Sequence, residues 1–356
     1  MLKSITKEDF FTRVGELSND FEIIGPMELP LKGIFYQSIL NTEDLYLGDG
    51  FAIEPIKKFF LEPSTRLLRY PWKNEPGVES FSPPERERIA IGVRPCEAKG
   101  LVLLDSVFDP PASSDLIPNS APGAGKKSSN RAGSTYQDAF YTNNRKRTII
   151  VGLACGRPDR CCFCTSLGGS PAGTTGMDVL LFEIEGGFAI EIITDRGKGI
   201  FGALGKELSE EEKKLLTSVN NKREDLLEKK IRVPESMDTI FTSDYWDKVS
   251  RSCISCGICT YLCPTCHCFD LIDERRIKLR CYDGCSFPHF TLHASGENPR
   301  PTKKERYRQR VFHKFDYFKI NFGENLCVGC GRCIRFCPVK IDIGDIVDKA
   351  PLSKKR

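Results

Sequence analysis

At 356 residues, 40% hydrophobic and 28% charged, the chain is long enough for two or three domains and apolar enough for a sizeable core. A net charge of +4 with no basic stripe interleaved with aromatics argues against nucleic acid as a partner. No stretch approaches the roughly 18 apolar residues of a membrane span, and the charged, amphipathic segment 1–11 does not read as a secretory leader.

A cytoplasmic, reducing setting is therefore expected. It disfavours disulfides among the 17 cysteines and suits thiolate-bound metal. Residues 4–18 read as an amphipathic helix through Phe10, Phe11, Val14 and Leu17, with Thr6 as its cap. Short apolar runs follow at 21–24, 34–39 and 67–70. Arg88–Val93 alternates and ends in Arg94-Pro95-Cys96, after which a helical pattern runs to Phe108: a strand, a turn holding a cysteine, and a helix. Residues 110–134 are rich in Pro, Ser, Gly and Ala, lack periodicity, and read as a flexible insertion. The segment 123–128, Gly-Ala-Gly-Lys-Lys-Ser, lacks the G-x4-G-K-[ST] spacing and follows no strand, so it is not a phosphate loop.

Thr148–Leu153 is a β-branched strand that leads to Cys155, then to Cys161, Cys162 and Cys164, then to a glycine-rich loop at 168–173. Segments 177–183 and 188–193 flank Glu185-Gly186-Gly187 as a hairpin. Residues 208–229 read as a long charged helix that connects the first domain to the next. The tail Lys354-Lys355-Arg356 reads as a solvated end.

Two cysteine runs then dominate. Cys253, Cys256, Cys259 and Cys263 precede Pro264; Cys327, Cys330, Cys333 and Cys337 precede Pro338. Each reads C-x2-C-x2-C-x3-C-P, the bacterial ferredoxin spacing for a pair of 4Fe–4S clusters, in which the fourth cysteine reaches across to the other cluster. The expected sets are Cys253, Cys256, Cys259 with Cys337, and Cys327, Cys330, Cys333 with Cys263. Gly257 and Gly331 fit a backbone that wraps closely around sulfur. Zinc is the competing reading, but it leaves the third cysteine and the proline of each run unexplained twice over. Seventeen cysteines against four histidines point the same way. The insert 264–326 is longer than a minimal ferredoxin spacer, holds a basic helical stretch at 302–318, and suggests helices packed around two clusters.

Several segments together resemble the family of the sulfhydrogenase beta chain and its counterpart in anaerobic sulfite reductase. They are Gly92-Val93-Arg94-Pro95-Cys96-Glu97, Cys162-Phe163-Cys164-Thr165-Ser166, Cys263-Pro264-Thr265-Cys266, Cys268-Phe269-Asp270, Asn298-Pro299-Arg300, Arg308-Gln309-Arg310, His313-Lys314-Phe315 and the stretch 327–343. The resemblance spans nearly the whole chain apart from 110–134. It implies a 4Fe–4S electron-transfer subunit of a hetero-oligomer. Such a subunit passes electrons between a terminal redox enzyme subunit, hydrogenase- or sulfite-reductase-like, and a flavin-containing subunit.

The expected fold is α+β: an N-terminal α/β domain (1–205), a helical connector (206–235) and an α-helical ferredoxin-like domain holding two 4Fe–4S clusters (236–356). Nine cysteines remain outside the paired runs. Cys96 and Cys155 each follow a strand; if those strands are neighbours, both cysteines reach one sheet edge, where Cys162 and Cys164 complete a candidate third 4Fe–4S cluster. The resemblance includes these four positions and leaves Cys161 as the odd one out. The alternative is a set of structural cysteines or a regulatory redox pair. Cys266, Cys268, Cys281 and Cys285 are read as supports of the paired clusters, with Cys281-x3-Cys285 on one helical face; a non-cubane cluster or zinc is the alternative. His267, His289, His293 and His313 share no ligand spacing. Arg300, Arg308, Arg310 and Arg332 are expected on a solvated or interface face.

No catalytic residue is expected in this chain. Two other functions compete with the relay: a redox enzyme with its own substrate site at the N-terminal cluster, and a zinc-binding assembly scaffold. Protein purified without oxygen is expected to be brown and to bleach with dithionite; colourless, sulfide-free material would select the scaffold.

Overall fold

The computed structural model describes residues 1–72, 77–110 and 137–351. Most of the 110–134 insertion, including the 123–128 segment, and the tail from Lys354 to Arg356 lie outside the described residues.

Twelve strands are described: β1 (Leu2–Thr6), β2 (Glu22–Leu29), β3 (Gly33–Ser38), β4 (Ser64–Arg69), β5 (Glu79–Ser80), β6 (Arg88–Val93), β7 (Thr148–Leu153), β8 (Val179–Ile184), β9 (Gly187–Ile192), β10 (Lys206–Glu207), β11 (Phe269–Glu274) and β12 (Ile277–Tyr282). Eight form one sheet in the order β10-β1-β9-β8-β7-β6-β2-β3. Its centre, β2-β6-β7-β8, is parallel, and antiparallel strands flank it on both sides. Every residue of β6 and β7 is buried, as expected of parallel strands covered on both faces.

Helices cover those faces. α1 (Lys7–Leu17) starts at Thr6, whose hydroxyl accepts from the Asp9 N–H at 3.1 Å. The helix is shorter than the 4–18 expectation because residues 2–6 pair with β9 instead. Phe10, Val14 and Leu17 pack with Ile89, Ile91, Val151 and Phe188 on one face of the sheet. α2 (Pro95–Phe108) and α3 (Ala139–Lys146) lie on the other face, where Leu101, Leu104 and Tyr141 meet Ala90, Ile150 and Leu180. Ile89 and Ile91 facing opposite to Ala90 is the two-residue period of a strand. α4 (Asp195–Phe201) and α5 (Glu210–Asp225) follow, the latter carrying Leu216 into the core.

The remaining chain is mostly short helices: α6 (Tyr245–Ser250), α7 (Ile258–Tyr261), α8 (Lys303–Phe312), α9 (Phe318–Phe322), α10 (Arg332–Arg335) and α11 (Ile343–Asp348). A π-helical turn, His313–Tyr317, joins α8 to α9. Trp246, Phe312, Phe315 and Ile346 form a core that also takes in Phe163 and Leu167 from the N-terminal part.

Two expectations fail here. The insert between the cysteine runs is not all-helical: β11 and β12 form a hairpin that pairs with β4, giving a second sheet β11-β12-β4-β5. The hairpin therefore belongs to both halves of the sequence. Cys281 and Cys285 do not share a helix face, because Cys281 lies in β12 and Cys285 follows it in a loop.

Phe10 stacks on Phe201 at 5.7 Å and contacts Phe188 at 4.9 Å between ring centroids. Phe10→Ala is expected to cost about 3–5 kcal/mol, measured as a lowered thermal midpoint.

Candidate iron–sulfur centres

The two cysteine runs fold alike. In each, a glycine at positive φ (Gly257, +76°; Gly331, +71°) caps a one-turn helix, α7 or α10. Each helix ends just before its Cys-Pro pair. α7 and α10 pack against one another, so each run's last cysteine lies beside the other run.

Cys253, Cys256 and Cys259 line one cavity with Cys337. Cys333, Arg310 and Tyr307 complete its wall. Backbone N–H groups already point at sulfur: Ser255 donates to Cys253 Sγ at 3.4 Å and Ile341 to Cys337 Sγ at 3.2 Å. Such donors stabilise thiolate charge. Cys256 is exposed, so this cavity reaches the surface.

Cys263 is buried and lies with the second run. Burial pushes the thiols of Cys327 (to about 12), Cys330 and Cys333 upward, and the charge of nearby Cys263 adds to it in all three. Thr265 Oγ1 lies 3.3 Å from Cys263 Sγ and receives Lys314 Nζ at 3.0 Å.

The N-terminal cysteines converge as well. β6 and β7 are parallel neighbours, so Cys96 and Cys155 emerge at the same sheet edge. This is the carboxyl end of the parallel strands, where open α/β sheets place their ligand sites. Cys96, Cys155, Cys162 and Cys164 line one cavity, together with Cys330 of the second run. The Cys155 N–H donates to Pro171 O at 2.8 Å, which fixes the glycine-rich loop beside it. Burial pushes the Cys164 thiol up to about 12, and the charge of Cys155 contributes.

This N-terminal loop docks on the second run backbone to backbone. Phe163 N donates to Gly329 O at 2.8 Å. A Cβ at Gly329 would come within 2.6 Å of Cys164 N, and one at Gly331 within 2.6 Å of Cys161 O. Cys161 thus serves the docking through its main chain and does not line the cavity. Arg335 pairs with Asp159 across the same junction.

Arg310 and Arg332 are not on a solvated face; both are buried, as are Lys57, Lys314 and Arg94. Arg310 donates to Cys259 O at 2.8 Å and to Cys266 Sγ at 3.4 Å. Lys57 donates to Cys266 O at 2.7 Å, and Arg94 to Ala154 O at 2.9 Å. None of these acceptors is a carboxylate. Burial opposes the charge on Arg310 and Lys314, yet the neighbouring cysteines act the other way and the net push on both is upward. Buried cations with thiolate neighbours fit an anionic, thiolate-ligated group.

Cys266, Cys268, Cys281 and Cys285 lie in one region of the structure, with Cys268 and Cys285 next to each other. Cys266 lies beside Cys263 and Arg310, Cys281 Sγ lies 3.6 Å from Ser64 Oγ, and burial pushes Cys285 up to about 11. Among the described residues no three Cys, His, Asp or Glu side chains converge tightly enough for one metal ion. His267 and His313 face each other at 5.5 Å, and burial lowers them to about 4 and about 3, leaving both neutral. Sequence reasoning missed Glu97 as a site residue, although it closes the Gly92–Glu97 segment and stands three residues after Arg94, whose N–H its carboxylate accepts at 3.4 Å.

A family model described as a 4Fe-4S dicluster domain matches residues 252–341. The chain is 29% identical to Sulfhydrogenase 2 subunit beta of Pyrococcus furiosus over 354 residues, covering 96% of this chain and 95% of that protein. This likeness to a sulfhydrogenase beta subunit runs over nearly the whole chain, and the dicluster model accounts for its two cysteine runs. A 39-residue segment is also 44% identical to an uncharacterized protein of Methanocaldococcus jannaschii, over 11% of this chain and 16% of that one. No solved structure matches the chain significantly. The dicluster match and the cysteine runs support 4Fe–4S clusters and an iron–sulfur electron-transfer role. No helix among the described residues is long and apolar enough to cross a membrane.

Gly331→Ala places a side chain at positive φ, which costs about 1–2 kcal/mol, and drives it into the Cys161 carbonyl. The variant is expected to lose iron relative to the wild type and to melt earlier; full iron content with an unchanged melting midpoint would contradict this packing.

Proposed function

We propose that this chain is a three-centre electron relay inside a hetero-oligomeric redox complex. One observation carries the reading. Cys330 belongs to the second run and also walls the N-terminal cavity, while Cys333 walls the cavity of the first run. These shared walls support a relay that runs from Cys96, Cys155, Cys162 and Cys164 through Cys327, Cys330, Cys333 and Cys263 to Cys253, Cys256, Cys259 and Cys337.

A 4Fe–4S cluster supplies one-electron redox chemistry whose potential follows ligation, hydrogen bonding and burial. The chain's residues set those conditions. Cysteines fix the spacing, Ser255 and Ile341 donate N–H groups to sulfur, and Phe163, Tyr307 and Phe315 shield the interior. Four thiols at the N-terminal cavity leave no ligand position vacant, which supports a relay there over a substrate site. The exposed Cys256 end suits exchange with a docked partner. The name of the Pyrococcus furiosus relative supports membership of a multi-subunit assembly. We assign the outer partners as a terminal redox enzyme, such as a hydrogenase, together with a flavin-containing subunit.

Protein isolated anaerobically is expected to hold about twelve iron and about twelve sulfide per chain; about eight of each would reject the N-terminal centre. Cys256→Ala is expected to remove or convert one cluster and to interrupt electron flow while the α/β domain stays folded. Unchanged iron and unchanged flow would overturn the assignment.

A further inference from the structure

Arg332 lies in α10 between Cys330 and Cys333 and is fully buried, with 0% of its surface exposed. Its guanidinium lines the N-terminal cavity beside Cys96 and Cys330. Nη2 pairs with Glu97 Oε1 at 2.8 Å, and Nε and Nη2 both reach Ala52 O, at 3.0 and 2.9 Å. The plane sits 4.7 Å from the Phe51 ring centre. Nη1 has no hydrogen-bond partner among the described residues. A buried donor left unpaired is costly, so its place at a wall of thiols points to an acceptor carrying negative charge.

Glu97 is equally buried and heavily committed. Besides Arg332, its carboxylate accepts the Ile56 N–H at 3.2 Å and the Tyr36 hydroxyl at 2.5 Å. Its position is therefore fixed by β3, by the 56–59 turn and by α2 together. A charge pair held this rigidly in a dry interior presents a set field, positive on the thiol side and negative behind it.

We propose that Arg332 is a shared tuning residue for two neighbouring centres, raising the reduction potentials of the Cys327/Cys330/Cys333/Cys263 site and the Cys96/Cys155/Cys162/Cys164 site together, with Glu97 as the opposing charge. The second of these sites rests on the three-centre reading above. Reduction adds one electron to a centre that is already anionic, so a fixed positive charge beside it favours the reduced form and a fixed negative charge disfavours it. The Cys253/Cys256/Cys259/Cys337 cavity has Arg310 in its wall instead of Arg332, so it feels this pair least. A shift shared by both centres moves them together relative to outside partners and leaves the step between the two unchanged.

The test is anaerobic EPR-monitored potentiometry on the cluster-loaded protein and three variants, with dithionite as reductant. Arg332→Gln is expected to lower the midpoints of two centres, Glu97→Gln to raise the same two, and Arg332→Lys to stay near wild type. Loosened packing alone would move both glutamine variants the same way. Shifts of one sign in both, or no shift in either, overturn the proposal. If Arg332→Gln fails to load clusters, Glu97→Gln decides alone: a raised midpoint supports the proposal, and a lowered or unchanged one rejects it. If the wild type holds only eight iron, the N-terminal centre fails by itself, and opposite shifts at the Cys330-bound centre still support the role of Arg332.

Discussion

The close approach of two loops, 161–164 and 329–331, is the contact on which the rest of the molecule turns. Phe163 N reaches Gly329 O, and both Gly329 and Gly331 adopt positive φ where a side chain would strike the facing main chain. Only glycine permits two backbones to meet this way. The contact joins the edge of the α/β sheet to the second cysteine run, so a thiol set built on strand ends comes to share a wall with one built on a helix start.

Charge balance follows from that closeness. Cysteines crowded into a small volume concentrate negative charge wherever they ligate iron, and the same region holds buried Arg332, Arg310, Lys314, Lys57 and Arg94. Taking an ion out of water costs several kcal/mol unless it finds compensation. Here, apart from the Arg332–Glu97 pair, the compensation is cysteine sulfur, main-chain carbonyl and the Thr265 hydroxyl. On the proposal above, stability and redox tuning share this one arrangement. The π-helical turn after α8 belongs to it, since Lys314, Phe315 and Asp316 in that turn are all buried.

Much of this was legible in the residues. Arg88–Val93 and Thr148–Leu153 are strands with those bounds because continuous β-branched and apolar runs between turn residues allow little else. The hairpin around Gly186 and the helix ending at Phe108 follow from equally local rules. The hairpin of β11 and β12 was not legible. Its strand Phe269–Glu274 is exposed along its whole length and shows no buried alternation; its partner β4 lies some 200 residues away in sequence, and pairing at that separation leaves no local mark. Arg310 and Arg332 misled for a related reason. Arginine is mostly a surface residue, and only knowing which anions surround it reverses that expectation.

Sequence alone determined the chemistry. The repeated spacing C-x2-C-x2-C-x3-C-P specifies thiolate ligation of iron–sulfur clusters, because few other uses of cysteine require that geometry twice, each with a terminal proline. What tertiary structure alone decided is which thiol sets adjoin and which charges lie between them. Spacing along a chain fixes which residues can share a loop; it says nothing about which loops meet. That Cys330 faces Cys96 and Cys155, and that Glu97 stands behind Arg332, depends on a sheet edge and a helix from distant parts of the chain packing against each other.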